Sequence, residues 1–91
     1  MTLLDDNEIT QRLEGSQWGR AENAIALDLQ FSDFAEAMAF VNQVAAIAEE
    51  RNHHPDILVH GWNKVRLTVT NHSAGGLTAA DFDLAQAIDA L

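Results

Sequence analysis

The stretch Glu49-Glu50-Arg51-Asn52-His53-His54-Pro55 divides the chain into two kinds of periodicity. Apolar residues run into it at helical spacing and run out of it in alternation. Pro55 restricts His54 to extended backbone, so a helix entering this stretch must stop before it. A long helix handing over to a strand at a defined point implies a mixed architecture.

The helix before the junction is marked by Phe34, Met38, Val41, Ala45 and Ala48, at intervals of four, three, four and three. Phe40, Val44 and Ile47 form a second stripe beside the first, so roughly half the circumference is apolar. One sheet face seldom needs so wide a band. Part of it is therefore expected to meet another subunit, through the second stripe or a sheet edge. Ser32 suits the N-cap, and Asp33 and Glu36 place negative charge in the first turn. Glu49, one turn beyond Ala45, is expected to lean toward buried space.

Two β-patterns flank this helix. Upstream, Ile25, Leu27, Leu29 and Phe31 alternate with Ala24, Ala26, Asp28 and Gln30, the signature of a strand with one buried face. A preceding strand over Ser16 to Glu22 would join it by a hairpin at Glu22-Asn23, with Asn23 taking a left-handed backbone. Downstream, Ile57 to His60 reads as a strand and His60-Gly61-Trp62-Asn63 as its turn. Lys64 to Thr70 is the returning strand, with Val65, Leu67 and Val69 on one face and Lys64, Arg66, Thr68 and Thr70 on the other.

At the N-terminus, Asp5 can cap a short helix containing Glu8 and Ile9 that ends near Gly15. At the other end, Thr78-Ala79-Ala80-Asp81 is a capping-box signature, and Phe82, Leu84, Ala85, Ile88 and Leu91 fill a last helix. The order α-β-β-α-β-β-α predicts an α+β fold: a four-stranded antiparallel sheet with helices packed on one face.

Ninety-one residues make a single domain, residues 1–91, with a modest core that oligomerisation would extend. The absence of cysteine excludes a disulfide framework and a Cys-based zinc site. No apolar run is long enough to span a membrane, and the first residues lack the pattern of a secretory signal, so a cytoplasmic protein is expected. A formal net charge of −9 argues against direct nucleic-acid binding, because phosphates would be repelled.

The chemistry-bearing residues gather around the junction. His53 and His54 stand at the helix exit, and His72 stands at the exit of the strand from Lys64. In an antiparallel arrangement these ends can converge. A neutral imidazole beside a protonated one supplies a base and an acid together. A nearby carboxylate can set a tautomer, and Trp18 or Trp62 can stack on a flat heterocycle. Taken singly, these residues have plainer roles. His53 and His54 suit a helix C-terminus and His72 a loop. Asp81 suits a capping box, Glu49 a solvated face, and Trp18 and Trp62 packing. His60 reads as structural. Adjacent histidines are poorly placed to share one ion, and no metal is expected.

The joint pattern is more specific. Glu49, three residues, His53-His54-Pro55, six residues, Trp62, nine residues, His72, eight residues and Asp81 resembles the pterin-4a-carbinolamine dehydratases, also described as dimerization cofactors of a homeodomain transcription factor. The resemblance implies dehydration of 4a-hydroxytetrahydropterin (4a-hydroxytetrahydrobiopterin) to quinonoid dihydropterin and water. That would recycle the cofactor of aromatic amino-acid hydroxylases, a functional link to such a hydroxylase, with no metal or organic cofactor. It implies catalysis by His53, His54 and His72 with Glu49 in support, without assigning acid and base. Carried over by position, the pterin would touch His53, His54, Pro55, Asn71, His72, Ser73 and Ala74, with Trp18 and Asp81 at or near the pocket. Asn52 departs from the Asp of animal relatives. The family also implies a homodimer or homotetramer, and offers a second reading: a protein-binding module acting as a dimerization cofactor or transcriptional coactivator.

Overall fold

The computed structural model describes residues 2–91 and contains three helices and one sheet. In chain order these are α1 (Asp6–Leu13), β1 (Gly19–Ala21), β2 (Ala24–Gln30), α2 (Phe34–Arg51), β3 (Asp56–His60), β4 (Lys64–Val69) and α3 (Ala79–Asp89). All pairings are antiparallel and the strand order is β1-β2-β4-β3. The two hairpins thus share a central pair, β2 and β4, that joins the first half of the chain to the second. Its register sets Leu27 opposite Leu67 and Ile25 opposite Val69.

One face of this pair carries the core. Ile25, Val65, Leu67 and Val69 are completely buried against the helices, with Leu84 and Ile88 of α3 and Val44 of α2 opposite them. On the other face Arg66 pairs with Asp28 across the strands at 2.6 Å, and both side chains are exposed. The α+β reading with helices on one face describes the molecule.

Four local expectations are revised. Asp33, not Ser32, caps α2: its Oδ1 accepts from the Glu36 N–H at 2.8 Å, while the Ser32 hydroxyl donates to Glu36 Oε2 at 2.7 Å. In the first hairpin the positive φ falls on Glu22 (57°) rather than Asn23. The strand expected over Ser16 to Glu22 is only three residues long, because Ser16 and Trp18 are used in a turn held by Trp18 N–H to Ser16 Oγ. The stripe containing Phe40, Val44 and Ile47 is the face of α2 that packs on the core, together with Ala37, Val41 and Ala48. Phe34, at the head of the other stripe, is 54% exposed. The buried face thus draws on both stripes, Val44 from one and Ala48 from the other, and leaves bulky Phe34 at its edge outside.

Candidate functional site

The end of α2 is shaped by backbone chemistry. His53 N–H donates to the Ala48 carbonyl at 3.0 Å and Asn52 N–H to the Glu49 carbonyl at 3.3 Å. This pair of bonds is a Schellman motif, which needs a left-handed residue at its fifth position. Asn52 fills it, with φ 51° and ψ 42°. Asn tolerates this conformation better than most non-glycine residues, so Asn52 turns the chain out of the helix and Pro55 then holds it extended. His53 and His54 are left pointing to different surroundings. His54 is exposed, and its Nε2 meets Glu49 Oε2 at 2.5 Å. Glu49 itself is exposed, not turned toward the interior, because Ala48 takes the buried position beside it. The His53 side chain is 16% exposed, and its Nε2 lies 2.9 Å from Asp81 Oδ1 and 3.3 Å from the Thr70 carbonyl.

The loop after β4 faces this exit. Asn71 N–H donates to the Gly76 carbonyl at 3.1 Å, and Gly75 N–H donates back to the Asn71 carbonyl at 2.9 Å. The Asn71 side-chain oxygen accepts from Ala74 N–H at 2.9 Å. Gly75 has φ 79°, a conformation costly to any residue with a Cβ. This pinned turn holds His72 and Ser73 outward. Beyond it, Asp81 closes the capping box of α3, its Oδ2 accepting from Thr78 N–H at 2.7 Å.

Together these segments line a cleft of about 370 Å³ formed by Arg51, Asn52, His53, His54, Thr70, Asn71, His72, Ser73 and Ala80. That is within the size range of small-molecule sites, roughly 300–1,000 Å³. Three histidines, two from the α2 exit and one from the β4 exit, therefore line one cleft. Pro55 and Ala74 adjoin residues of the lining, Glu49 reaches it through His54, and Asp81 lies beneath it, completely buried.

Neither tryptophan is part of this cleft. Trp18 is buried, and its indole N–H donates to Asp89 Oδ1 at 2.8 Å. Asp89 is two turns of α3 past Asp81, about 12 Å at ~1.5 Å per residue, so Trp18 packs the far end of that helix. Trp62 sits in the β3–β4 turn, at the opposite end of a five-residue strand. At ~3.3 Å per residue that is about 17 Å from the junction. His60 is at that same far end, beside Asp28 and Lys64. Arg51 and Thr70 are cleft residues that periodicity alone did not single out. Arg51 reads as an ordinary C-terminal cation, and Thr70 as the last polar position of an alternating strand.

An α+β sandwich whose helix exit and strand exit present three histidines to one cleft belongs to a recognisable class of small domains. The model of the pterin 4 alpha carbinolamine dehydratase family matches residues 2–91, and the chain belongs to that family. Relatives named for it include one from Roseiflexus sp. (strain RS-1), 49% identical over 97% of this chain and 95% of its own length. Another, from Acidobacterium capsulatum, is 48% identical over 100% of this chain and 99% of its own. Among solved structures, a transcriptional coactivator/pterin dehydratase from Brucella melitensis superposes with a TM-score of 0.90 at 30% identity, covering 98% of this chain and 97% of that one. A pterin dehydratase-like protein identified as a RuBisCO assembly factor in the alpha-carboxysome aligns with a TM-score of 0.67 at 26% identity, over 81% of this chain and 87% of that one.

Proposed function

We propose that this protein dehydrates 4a-hydroxytetrahydropterin to quinonoid dihydropterin by histidine acid/base catalysis. The observation that carries this reading is the meeting of His53, His54 and His72 on a single cleft. Loss of water needs a proton delivered to the C4a hydroxyl as the C4a–O bond breaks, and a proton taken from N5 as the C4a–N5 double bond forms. Imidazoles from two sides of a small cleft suit both transfers, each contributing about 10²–10⁴-fold. Glu49 orients His54, and Arg51 is the one permanent cation of the lining. The pterin rests against His53, His54, Pro55 and the segment Asn71-His72-Ser73-Ala74. In the cell, on this reading, a cytoplasmic dimer or tetramer returns the cofactor of an aromatic amino-acid hydroxylase to use.

A second reading has a specific observation in its favour. Phe34, Leu58 and Trp62 are each more than half exposed, and none belongs to the cleft. One solved neighbour is named as an assembly factor and another as a coactivator. On this reading the chain is a binding module that keeps the fold and uses its apolar surface. The deciding experiment is a dehydration assay with synthetic 4a-hydroxytetrahydropterin and purified protein. Turnover above the uncatalysed rate supports the enzyme; pterin-independent capture of a partner with no rate enhancement supports the module.

A further inference from the structure

We infer that Asp81 is a positioning residue that holds His53 in its Nε2–H tautomer, so that the proton His53 handles moves at Nδ1. This rests on the dehydratase reading and adds an assignment of atoms to it. Asp81 is completely buried at the third position of α3. Its Oδ2 is taken by the N–H of Thr78 at 2.7 Å and by the Thr78 hydroxyl at 3.2 Å. Its Oδ1 has no hydrogen-bond partner, and His53 Nε2 stands 2.9 Å from it.

The same ring nitrogen is in hydrogen-bonding position to the Thr70 carbonyl at 3.3 Å, while Oδ1, though nearer, lies off that direction and has no hydrogen-bond partner. Both neighbours of Nε2 are thus acceptors, a carboxylate and a backbone carbonyl. A lone pair at Nε2 would confront lone pairs on both, with the Asp81 side chain completely buried and that of His53 only 16% exposed. A hydrogen there bonds the Thr70 carbonyl and turns a positive edge, not a lone pair, toward Oδ1; a bare nitrogen would leave the carbonyl without that donor as well, which is costly when buried. Nε2 therefore keeps its hydrogen whether His53 is neutral or protonated. Nδ1 is the nitrogen left to take a proton or to give one. The capping box and the histidine dyad share one side chain: Oδ2 starts the helix and Oδ1 sets the tautomer.

The test is long-range proton–nitrogen NMR on protein labelled with ¹⁵N-histidine, read for the neutral His53 ring in wild type, Asp81→Asn and Thr78→Ala. Wild type is expected to give the Nε2–H pattern. Asp81→Asn keeps an oxygen for the Thr78 N–H but presents an amide N–H₂ to the ring, so the Nδ1–H form should appear and turnover should fall by about 10²-fold. Thr78→Ala weakens the same cap and leaves the carboxylate on His53, so the Nε2–H pattern should persist. An Nδ1–H pattern in wild type overturns the assignment, and that measurement stands even if Asp81→Asn does not fold. A folded Asp81→Asn protein that retains only the Nε2–H form overturns the role of Asp81. The spectrum is independent of turnover, so a protein without dehydratase activity would sink the proposed function while leaving the tautomer to be judged on its own.

Discussion

His54 Nε2 and Glu49 Oε2 meet at 2.5 Å across the exit of α2, with the side chains 57% and 77% exposed. An ion pair this open to water contributes little to stability, about 0–1 kcal/mol. Its value is directional, because it fixes one ring nitrogen of His54 and with it the face turned to the cleft. Glu49→Gln should leave thermal stability within about 1 kcal/mol of wild type, since a glutamine oxygen still accepts the bond. Turnover should fall only mildly. A loss as large as that of a histidine variant, measured by steady-state kinetics on folded protein, would show that Glu49 does more than orient.

Asn52 provides a test of how the site is aimed. Its left-handed backbone closes the Schellman motif that releases His53 and His54 from the helix. A β-branched side chain is strained in that region, at about 1–2 kcal/mol. Asn52→Val should therefore lower the free energy of urea unfolding by about that amount and reduce turnover, because both histidines inherit the displaced backbone. Asn52→Gly removes the strain and should match or exceed wild-type stability. A valine variant as stable as wild type would show that the helix exit is set elsewhere.

Much of this fold was legible because its strands obey a period of two and its helices carry recognisable start signals. Asp5 and the Thr78–Asp81 box act as the residues suggested, and the exit ahead of Pro55 falls where proline chemistry requires it. What sequence could not rank is competition between equally plausible neighbours. Ser32 and Asp33 are both good caps, and only the direction of chain entry chose Asp33. Two adjoining apolar stripes on α2 do not say which of their members face inward until the core is packed: Val44 of one and Ala48 of the other are buried, and Phe34 is not. At the site, the convergence of His53 and His72 follows from antiparallel topology and was foreseeable. The burial of Asp81 beneath His53 was not, since it depends on the packing of α3 against the end of α2. The family resemblance, carried over by position, puts Trp18 at or near the pocket; in the structure its indole N–H donates to Asp89, at the other end of α3.

The seating of α2 leaves a contrast between two apolar residues on one helix. Val44 is completely buried, whereas Phe34 is 54% exposed. Val44→Ala should destabilise the fold by about 1–3 kcal/mol, through lost transfer energy and the cavity left behind. Phe34→Ala should barely change the stability of an isolated chain, but it should weaken self-association if that face is covered by a second copy. Denaturation and light scattering on the two variants separate these effects. Wild-type protein is expected to scatter as at least a dimer at micromolar concentration. A 10.0 kDa species alone would defeat that expectation.

The four histidines offer an internally controlled comparison. His53, His54 and His72 share the cleft, while His60 lies at the far end of β3 beside Lys64. His53→Ala and His72→Ala should each lower dehydratase turnover by about 10²-fold or more, the scale for losing one proton-transfer partner. His54→Ala should fall between these and wild type, acting more on KM, because its exposed ring is held to the side of the cleft by Glu49. His60→Ala should have little effect. His53 differs from the others in standing against a buried carboxyl group, so its removal takes away the polar neighbour of Asp81 Oδ1 and the partner of the Thr70 carbonyl and should also cost stability, about 1–3 kcal/mol. His72, in an exposed loop, should lose rate with no such cost. Circular dichroism and urea titration, run beside the kinetics, distinguish the two. If His60→Ala proved as damaging to turnover as His72→Ala in folded protein, the cleft would be the wrong site. If neither His53 nor His72 mattered to turnover, the binding-module reading would replace the enzyme.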